Sequence, residues 1–112
     1  MATDPGIAAA TGWSEERFLG HVKELAEVFG FLYYHVFDSR LSTAGFPDLV
    51  LVRPKPRPAL YFIELKTDSK RSKTTAAQEE WLQALRDNGV TAEVWRPRDI
   101  QEIADVLAGG KV

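Results

Sequence analysis

Residues 45–52 read GFPDLVLV, and residues 60–66 read LYFIELK. Both are apolar runs of strand length, and residues 53–58 between them carry three prolines that stiffen the connection. Pro47 lacks an amide donor, so it belongs at the start of the first strand rather than in its middle. The two runs therefore predict a long β-hairpin, with Asp48 at the entrance of one strand and Glu64 and Lys66 at the end of the next.

The three charged residues of this hairpin suit one kind of chemistry. Residues i and i+2 of a strand project to the same face, so Glu64 and Lys66 share a face and Leu65 points the other way. Two carboxylates can chelate a hard divalent cation such as Mg²⁺, which keeps places for waters and phosphate oxygens. A lysine beside that cation can orient the attacking water or offset charge on a phosphorane. If Asp48 converges with the other two, the trio predicts metal-assisted hydrolysis of a phosphodiester.

Composition restricts the alternatives. A chain of 112 residues with 45% hydrophobic and 27% charged residues fits one folded soluble domain. We expect that domain at residues 13–108, between a flexible N-terminal tail (1–12) and a short C-terminal tail (109–112). The apolar runs are too short to span a membrane, and the N-terminus does not have the pattern of a secretory signal, so we expect a cytoplasmic protein.

The remaining candidates for a metal ligand are carboxylates. The absence of cysteine excludes disulfides, thiolate zinc sites and cysteine nucleophiles, and two histidines leave little for an all-histidine site. A net charge of −2 argues against non-specific coating of nucleic acid, which requires a basic surface. However, residues 66–73 hold four basic residues and one acid, Asp68. We expect this basic loop to follow the DNA backbone, with Lys70, Arg71 and Lys73 as phosphate contacts, although such a loop can also simply be solvated.

The hydrophobic periodicity, together with the residues that typically begin or end helices and strands, predicts the element order α-β-β-β-α-β-α. The first helix follows Ser14 and stops at Gly30, and its first turn carries Glu15 and Glu16. The other predicted elements are strands Phe31–Phe37, Leu49–Val52, Leu60–Lys66 and Thr91–Arg96, a helix from about Thr75 to Asn88, and a helix that starts at Pro97. The order indicates an α/β fold with helices flanking a central sheet.

The second helix carries a polar residue on its apolar face. Gln78, Trp81, Leu82 and Leu85 recur at helical spacing on one side. A glutamine in the first turn of an inward face needs a hydrogen-bond partner. Gln78 either caps its own helix or supports the candidate site.

With these motifs in view, the chain resembles the VRR-NUC group of small phage and bacterial nucleases within the PD-(D/E)XK superfamily. The resemblance runs from about Ser14 to Leu107. It rests on Ser14-Glu15, Tyr34-His35, Asp38-Ser39-Arg40, Gly45 to Leu49, Glu64-Leu65-Lys66, Gln78 to Leu82 and Val94 to Pro97. It implies a restriction-endonuclease-like fold with a mixed four-stranded sheet.

The resemblance also implies roles for individual residues. Asp48 and Glu64 would bind Mg²⁺, or Mn²⁺ in its place, with the Leu65 carbonyl as a further ligand. Lys66 would position or activate water, and Gln78 would support the lysine and the scissile phosphate. Glu15 would complete the metal site through water, although it can instead complement the helix dipole, and the adjacent Glu16 lies about 100° away around the helix.

The resemblance further implies a homodimeric endonuclease that acts on branched DNA such as four-way (Holliday) junctions. Linear duplex or flap DNA is an alternative substrate. A DNA-binding module that does not cut, or an ordinary interaction domain with surface charges, is an alternative function. His35 is either a structural histidine or a group that contacts phosphate, and Arg40 is either a phosphate contact or a solvated side chain.

Overall fold

A computed structural model of the chain describes residues 12–36 and 43–109. Its elements are α1 (Glu15–Val28), β1 (Leu32–His35), β2 (Leu49–Arg53), β3 (Ala59–Leu65), α2 (Ala76–Asp87), β4 (Thr91–Trp95) and α3 (Ile100–Leu107). This order and the mixed sheet confirm the predicted fold. The predicted helix at Pro97 begins as a 3₁₀ turn, Pro97–Asp99, before α3. Residues 1–11, 37–42 and 110–112, which include most of both predicted tails and Arg40, lie outside the described residues.

The sheet has the strand order β1-β2-β3-β4. The pairs β1–β2 and β2–β3 are antiparallel. Strands β3 and β4 are parallel, with Leu65 opposite Trp95. The β2–β3 pairing confirms the predicted hairpin. Because β3 and β4 are parallel, both strands end at the same edge of the sheet, and Lys66 N donates a hydrogen bond to Trp95 O over 3.0 Å. Asp48 enters β2 at this same edge, since β2 runs opposite to β3.

One face of the sheet forms the main core with α1 and α3. Phe18, Val22 and Ala26 of α1 recur at helical spacing and are buried. They pack with Leu49, Leu51, Ile63, Leu65, Trp95, Ile103 and Leu107. Removing these apolar side chains from water is the main favourable contribution to folding.

The opposite face of the sheet is only partly covered. Phe46 packs between Trp81 of α2 and Phe62 of β3, with ring centroids 5.1 and 6.2 Å away. Beyond α2, the register aligns Leu32, Val52 and Leu60 across three strands on this same face. We call Leu32, Tyr34, Val50, Val52, Leu60 and Phe62 the apolar face; Leu32 is 67% and Tyr34 64% exposed.

Two arginines at the proline-rich connection of the hairpin bind the C-terminal end of α3. Arg53 donates a hydrogen bond to the Leu107 carbonyl over 2.8 Å, and Arg57 donates one to the Ala108 carbonyl over 2.9 Å. The last carbonyls of a helix lack donors within the helix and carry partial negative charge. The two arginines therefore cap α3 and fix it against the far end of the hairpin. Among the described residues, no helix is both long and apolar enough to cross a membrane.

Candidate active site

Asp48 and Glu64 meet at the edge of the sheet where β3 ends. Asp48 Oδ2 accepts a hydrogen bond of 2.9 Å from the backbone N–H of Leu65. Glu64 is 2% exposed, and it is the cross-strand neighbour of Asp48, because Leu49 pairs with Ile63. Lys66 Nζ lies 3.5 Å from Glu64 Oε2. The structure thus brings together the three side chains that sequence spacing had placed at two strand ends.

Burial and the neighbouring acid change the titration of Glu64. Burial raises the pKa of Glu64 to about 8, and the hydrogen bond and charge of Asp48 act in the same direction. The Lys66 charge lowers that pKa and offsets part of the effect. Without a cation, the folded protein therefore favours the protonated form of Glu64 at neutral pH.

Gln78 connects α2 to this pair of carboxyl groups. Its Nε2 donates a hydrogen bond of 3.0 Å to Glu64 Oε2. Its Oε1 accepts from the Thr75 N–H over 2.9 Å, and Thr75 Oγ1 accepts from the Gln78 N–H over 3.1 Å. This reciprocal pair is a capping box. The two roles left open for Gln78 are therefore combined in one side chain.

The donor set fits a divalent cation. Glu64 Oε2 faces Gln78 and Lys66, but Glu64 Oε1 is buried and accepts no hydrogen bond from any residue that the structure describes. A buried carboxylate oxygen without a donor is costly, and a bound cation would satisfy it. Within residues 12–36 and 43–109, no cluster of three or more histidine, aspartate or glutamate side chains could hold a metal, so the side chains at this site offer only the two carboxylates. Two carboxylates are nevertheless enough for Mg²⁺, because this ion keeps several of its waters.

Two further predicted residues lie in the electrostatic surroundings of Asp48. Burial and the Asp48 charge raise the pKa of Glu15, and the Lys66 charge lowers it. Burial and the Lys23 charge lower the pKa of His35, against the opposite influence of Asp48. The water-mediated role of Glu15 and the phosphate contact of His35 remain predictions, as does ligation by the Leu65 carbonyl.

Gly45 sets the approach of the Asp48 segment to α2. Its φ of +87° is unfavourable for residues with a Cβ, and a Cβ built there would lie 2.5 Å from the backbone carbon of Ala77. This close contact is next to Gln78 in the chain. A glycine at position 45 thus allows the segment that delivers Asp48 to lie directly against the helix that delivers Gln78.

The predicted basic loop forms one wall of a depression beside the site. Lys70, Arg71 and Lys73 are exposed. The depression measures about 320 Å³ and is lined by Asp68, Ser69, Lys70, Ser72, Lys73, Arg96 and Arg98. We call it the basic depression. Sequence reasoning missed Arg96 and Arg98 as candidates; the signal was their position just after a strand that runs parallel to β3.

A family model, the VRR-NUC domain, matches residues 19–99. The chain belongs to the VRR-NUC family. Two solved VRR-NUC structures share this fold. One is 22% identical and covers 83% of this chain and 92% of its own, with a TM-score of 0.65. The second is 24% identical and covers 81% and 88%, with a TM-score of 0.58. None of the curated proteins matches the chain in sequence.

Membership in the VRR-NUC family places the domain in the PD-(D/E)XK nuclease superfamily. The matched residues include Asp48, Glu64, Lys66 and Gln78, and they begin after Glu15. The segment that matches the VRR-NUC domain therefore contains both carboxyl groups of the candidate site, the lysine and the glutamine. Glu15 lies outside the matched segment, and its link to the site is the electrostatic influence of Asp48 and Lys66.

Proposed function

We propose that this VRR-NUC domain is a Mg²⁺-dependent endonuclease that hydrolyses phosphodiester bonds in DNA, with Mn²⁺ as a possible substitute. The observation that carries the proposal is the pairing of Asp48 with the buried Glu64, with one glutamate oxygen lacking any donor among the described residues and Lys66 Nζ 3.5 Å from the other. Such an arrangement is unfavourable for folding alone, which indicates a functional site.

Each side chain has a distinct task in this proposal. Asp48 and Glu64 would hold the metal, which would supply a water of lowered pKa and offset charge on the phosphate. The Leu65 N–H fixes Asp48, and Gln78 fixes Glu64. Lys66 donates to the attacking water and keeps it in line with the phosphorus. Glu64 must release its proton before it can bind a divalent cation together with Asp48.

For the substrate, we propose branched DNA such as a four-way junction, cut by a homodimer. Two active sites related by a two-fold axis can address two strands symmetrically. The apolar face supports a second copy of the chain as its occupant, because no charged residue belongs to this set of six. Its position at the same sheet face as Asp48 and Glu64 would bring two active sites to a common side.

The exposure of the apolar face agrees with a dimer. Leu32, Tyr34, Val52 and Leu60 are 38–67% exposed. Contiguous exposed apolar patches on a monomer commonly have a function, and the core of a homodimer interface is mainly apolar. The polar remainder of the interface would come from the rim.

The test is cleavage of a synthetic four-way junction and a linear duplex of equal sequence, with Mg²⁺, at protein concentrations that span dimerisation. We expect symmetric cuts in the junction, faster than cuts in the duplex. Asp48→Ala and Glu64→Ala should abolish cleavage and retain the fold by circular dichroism. Undiminished cleavage in EDTA would overturn the metal requirement. Binding without nicking would show a DNA-binding module, and faster cutting of duplex or flap DNA would correct the substrate.

A further inference from the structure

We propose that the basic depression is a phosphate-binding subsite, which holds one backbone phosphate of the cleaved strand a few nucleotides from the scissile bond. This inference rests on the proposed function and adds to it Arg98 as a DNA contact and Arg96 as a positioning residue. Lys70 and Lys73 complete the subsite from the opposite wall.

The topology places this subsite next to the catalytic side chains. Lys66 N is hydrogen-bonded to Trp95 O, and the chain continues from these two residues into Thr67-Asp68 and Arg96. The lining residues follow Lys66 by no more than seven positions and Trp95 by no more than three, so the subsite lies beside the catalytic side chains. From there it would reach a phosphate close to the scissile bond on the same strand.

The charges of the lining favour an anion. Four of the seven lining residues are basic and one is acidic, in a chain whose net charge is −2. Positive charge is thus concentrated beside the site although the protein as a whole is slightly acidic. Such a local concentration attracts phosphate without the non-specific affinity of an entirely basic protein.

The lining suits a phosphate better than a base. It contains lysine, arginine and serine, with one aspartate, and neither an aromatic ring for stacking nor an asparagine or glutamine for base edges. A volume of about 320 Å³ exceeds the ~30 Å³ share of one water by tenfold, which leaves room for a phosphate and its flanking sugar atoms.

The wall that carries the lysines is held in place before any ligand arrives. The Thr67 N–H donates to Ser72 Oγ over 3.0 Å, and the Arg71 N–H donates to Ser69 Oγ over 3.2 Å. The Arg96 guanidinium donates to the Thr67 carbonyl, which joins the loop to the end of β4. Binding to this loop therefore costs less ordering entropy than binding to a flexible one.

Removal of the Asp68 charge should change DNA affinity in the opposite direction to removal of the basic side chains. Its Oδ1 accepts from the Arg98 N–H over 3.3 Å, whereas its Oδ2 is buried without a hydrogen-bond donor among the described residues. The carboxylate holds the two walls together but opposes a bound phosphate. Asp68→Asn can keep the Oδ1 contact while it removes the charge, so it should strengthen DNA binding.

The experiment measures the affinity for a fluorescent DNA junction, and for an equal-sequence duplex, by anisotropy in EDTA over a series of salt concentrations. We expect Arg98→Ala, Lys70→Ala and Lys73→Ala each to lower affinity about 5- to 20-fold and to reduce the salt slope by about one. Lys55→Ala is the matched control, because Lys55 is an exposed lysine on the remote turn of the hairpin. It should change neither quantity. Equal losses in the control and the subsite variants would overturn the inference.

A second measurement locates the phosphate. Single neutral methylphosphonates are placed along the strand, and each DNA is titrated with wild-type protein and with Arg98→Ala. One position close to the cut should weaken wild-type binding about fivefold and have little effect on the variant. The same pattern at every position, or at none, would refute a defined subsite.

These measurements contain no divalent metal, so their outcome is separate from that of the nuclease proposal. Loss of affinity in the subsite variants without any cleavage by the wild type would refute hydrolysis and retain the subsite. Normal cleavage by the wild type, together with unchanged affinity in Arg98→Ala, would refute the subsite and retain hydrolysis. If the protein binds neither DNA even at low salt, the subsite inference fails whatever the cleavage assay shows.

Discussion

Gln78 donates a hydrogen bond of 3.0 Å to Glu64, and the same side chain closes the capping box of α2. The start of a helix and the orientation of a candidate metal ligand thus depend on one amide group. Its two ends have separable tasks: the oxygen caps the helix, and the nitrogen holds the glutamate.

Gln78→Glu should separate these tasks. Glutamate retains the capping box but removes the donor to Glu64 and adds a charge beside it. We expect a helix content close to that of the wild type and a 10- to 100-fold lower cleavage rate. Gln78→Ala should additionally lower the melting temperature. Wild-type activity in Gln78→Glu would argue that the amide nitrogen has no role in the site.

The raised pKa of Glu64 predicts the pH dependence of stability in metal-free protein. With a folded pKa of about 8 against the ordinary value of 4.5, the folded state binds the proton more tightly than the unfolded state. This stabilisation is complete below about pH 4.5 and is lost as the pH rises through 8. In EDTA, the melting temperature should therefore fall between pH 5.5 and 8.5 more steeply for the wild type than for Glu64→Gln. Parallel curves would contradict the shift.

Metal binding should also depend on pH, because it competes with the proton on Glu64. Mg²⁺ requires both carboxylates to be deprotonated, so its binding at pH 7 should release protons and should tighten as the pH approaches 8. Calorimetry in two buffers of different ionisation enthalpy measures the number of protons. Asp48→Ala, which removes one ligand, is the control and should show little heat of binding.

Lys66→Ala should lower the cleavage rate more than DNA affinity. The lysine lies beside Glu64 with 16% of its side chain exposed, so it contributes little to a broad electrostatic surface. We expect the rate at saturating DNA to fall about 100-fold or more with less than a threefold change in Kd. A large loss of affinity at an unchanged rate would instead assign Lys66 to DNA binding.

Gly45→Ala should be destabilising by about 2 kcal/mol or more, because it combines a positive φ with contact against the Ala77 backbone. Gly20→Ala is a matched control of opposite sign. Gly20 lies within α1 with open space around its Cβ position, so alanine should stabilise by about 0.5–1 kcal/mol. Urea denaturation measures both, and equal effects would refute the close-contact argument.

The apolar face predicts how dimerisation can be disrupted. Leu32→Arg places a charge at the most exposed residue of that face, whereas Val28→Arg places one on α1 at a residue that is 74% exposed. We expect sedimentation to give a monomer for Leu32→Arg and a dimer for Val28→Arg. A monomeric wild type, or a dimer insensitive to Leu32→Arg, would exclude this interface.

Sequence periodicity predicted most of the fold because its elements are short and locally marked. Ser14 and Gly30 delimit α1, Gln78 to Leu85 define the inward stripe of α2, and the two apolar runs define the hairpin. Strand parity then placed Glu64 and Lys66 on one face. These inferences depend on neighbours in the chain, which sequence displays directly.

The parts that sequence did not predict depend on contacts between distant residues. Arg98 reaches the basic loop only because β4 pairs in parallel with β3, and Gly45 meets Ala77 only because α2 folds over that sheet face. The burial of Glu64 similarly results from elements on several sides. Sequence suggested candidates for the site but gave no information on how far its carboxylates are removed from water.

The hydrogen bonds within residues 67–72 give this loop an internal frame that does not depend on the core. Its charged tips, Lys70 and Lys73, can therefore be exchanged or repositioned during evolution while the hydrolytic centre stays unaltered. Substrate preference and bond-breaking chemistry would then be inherited as separate modules. Related domains could diverge in the nucleic acids they select by remodelling one short segment.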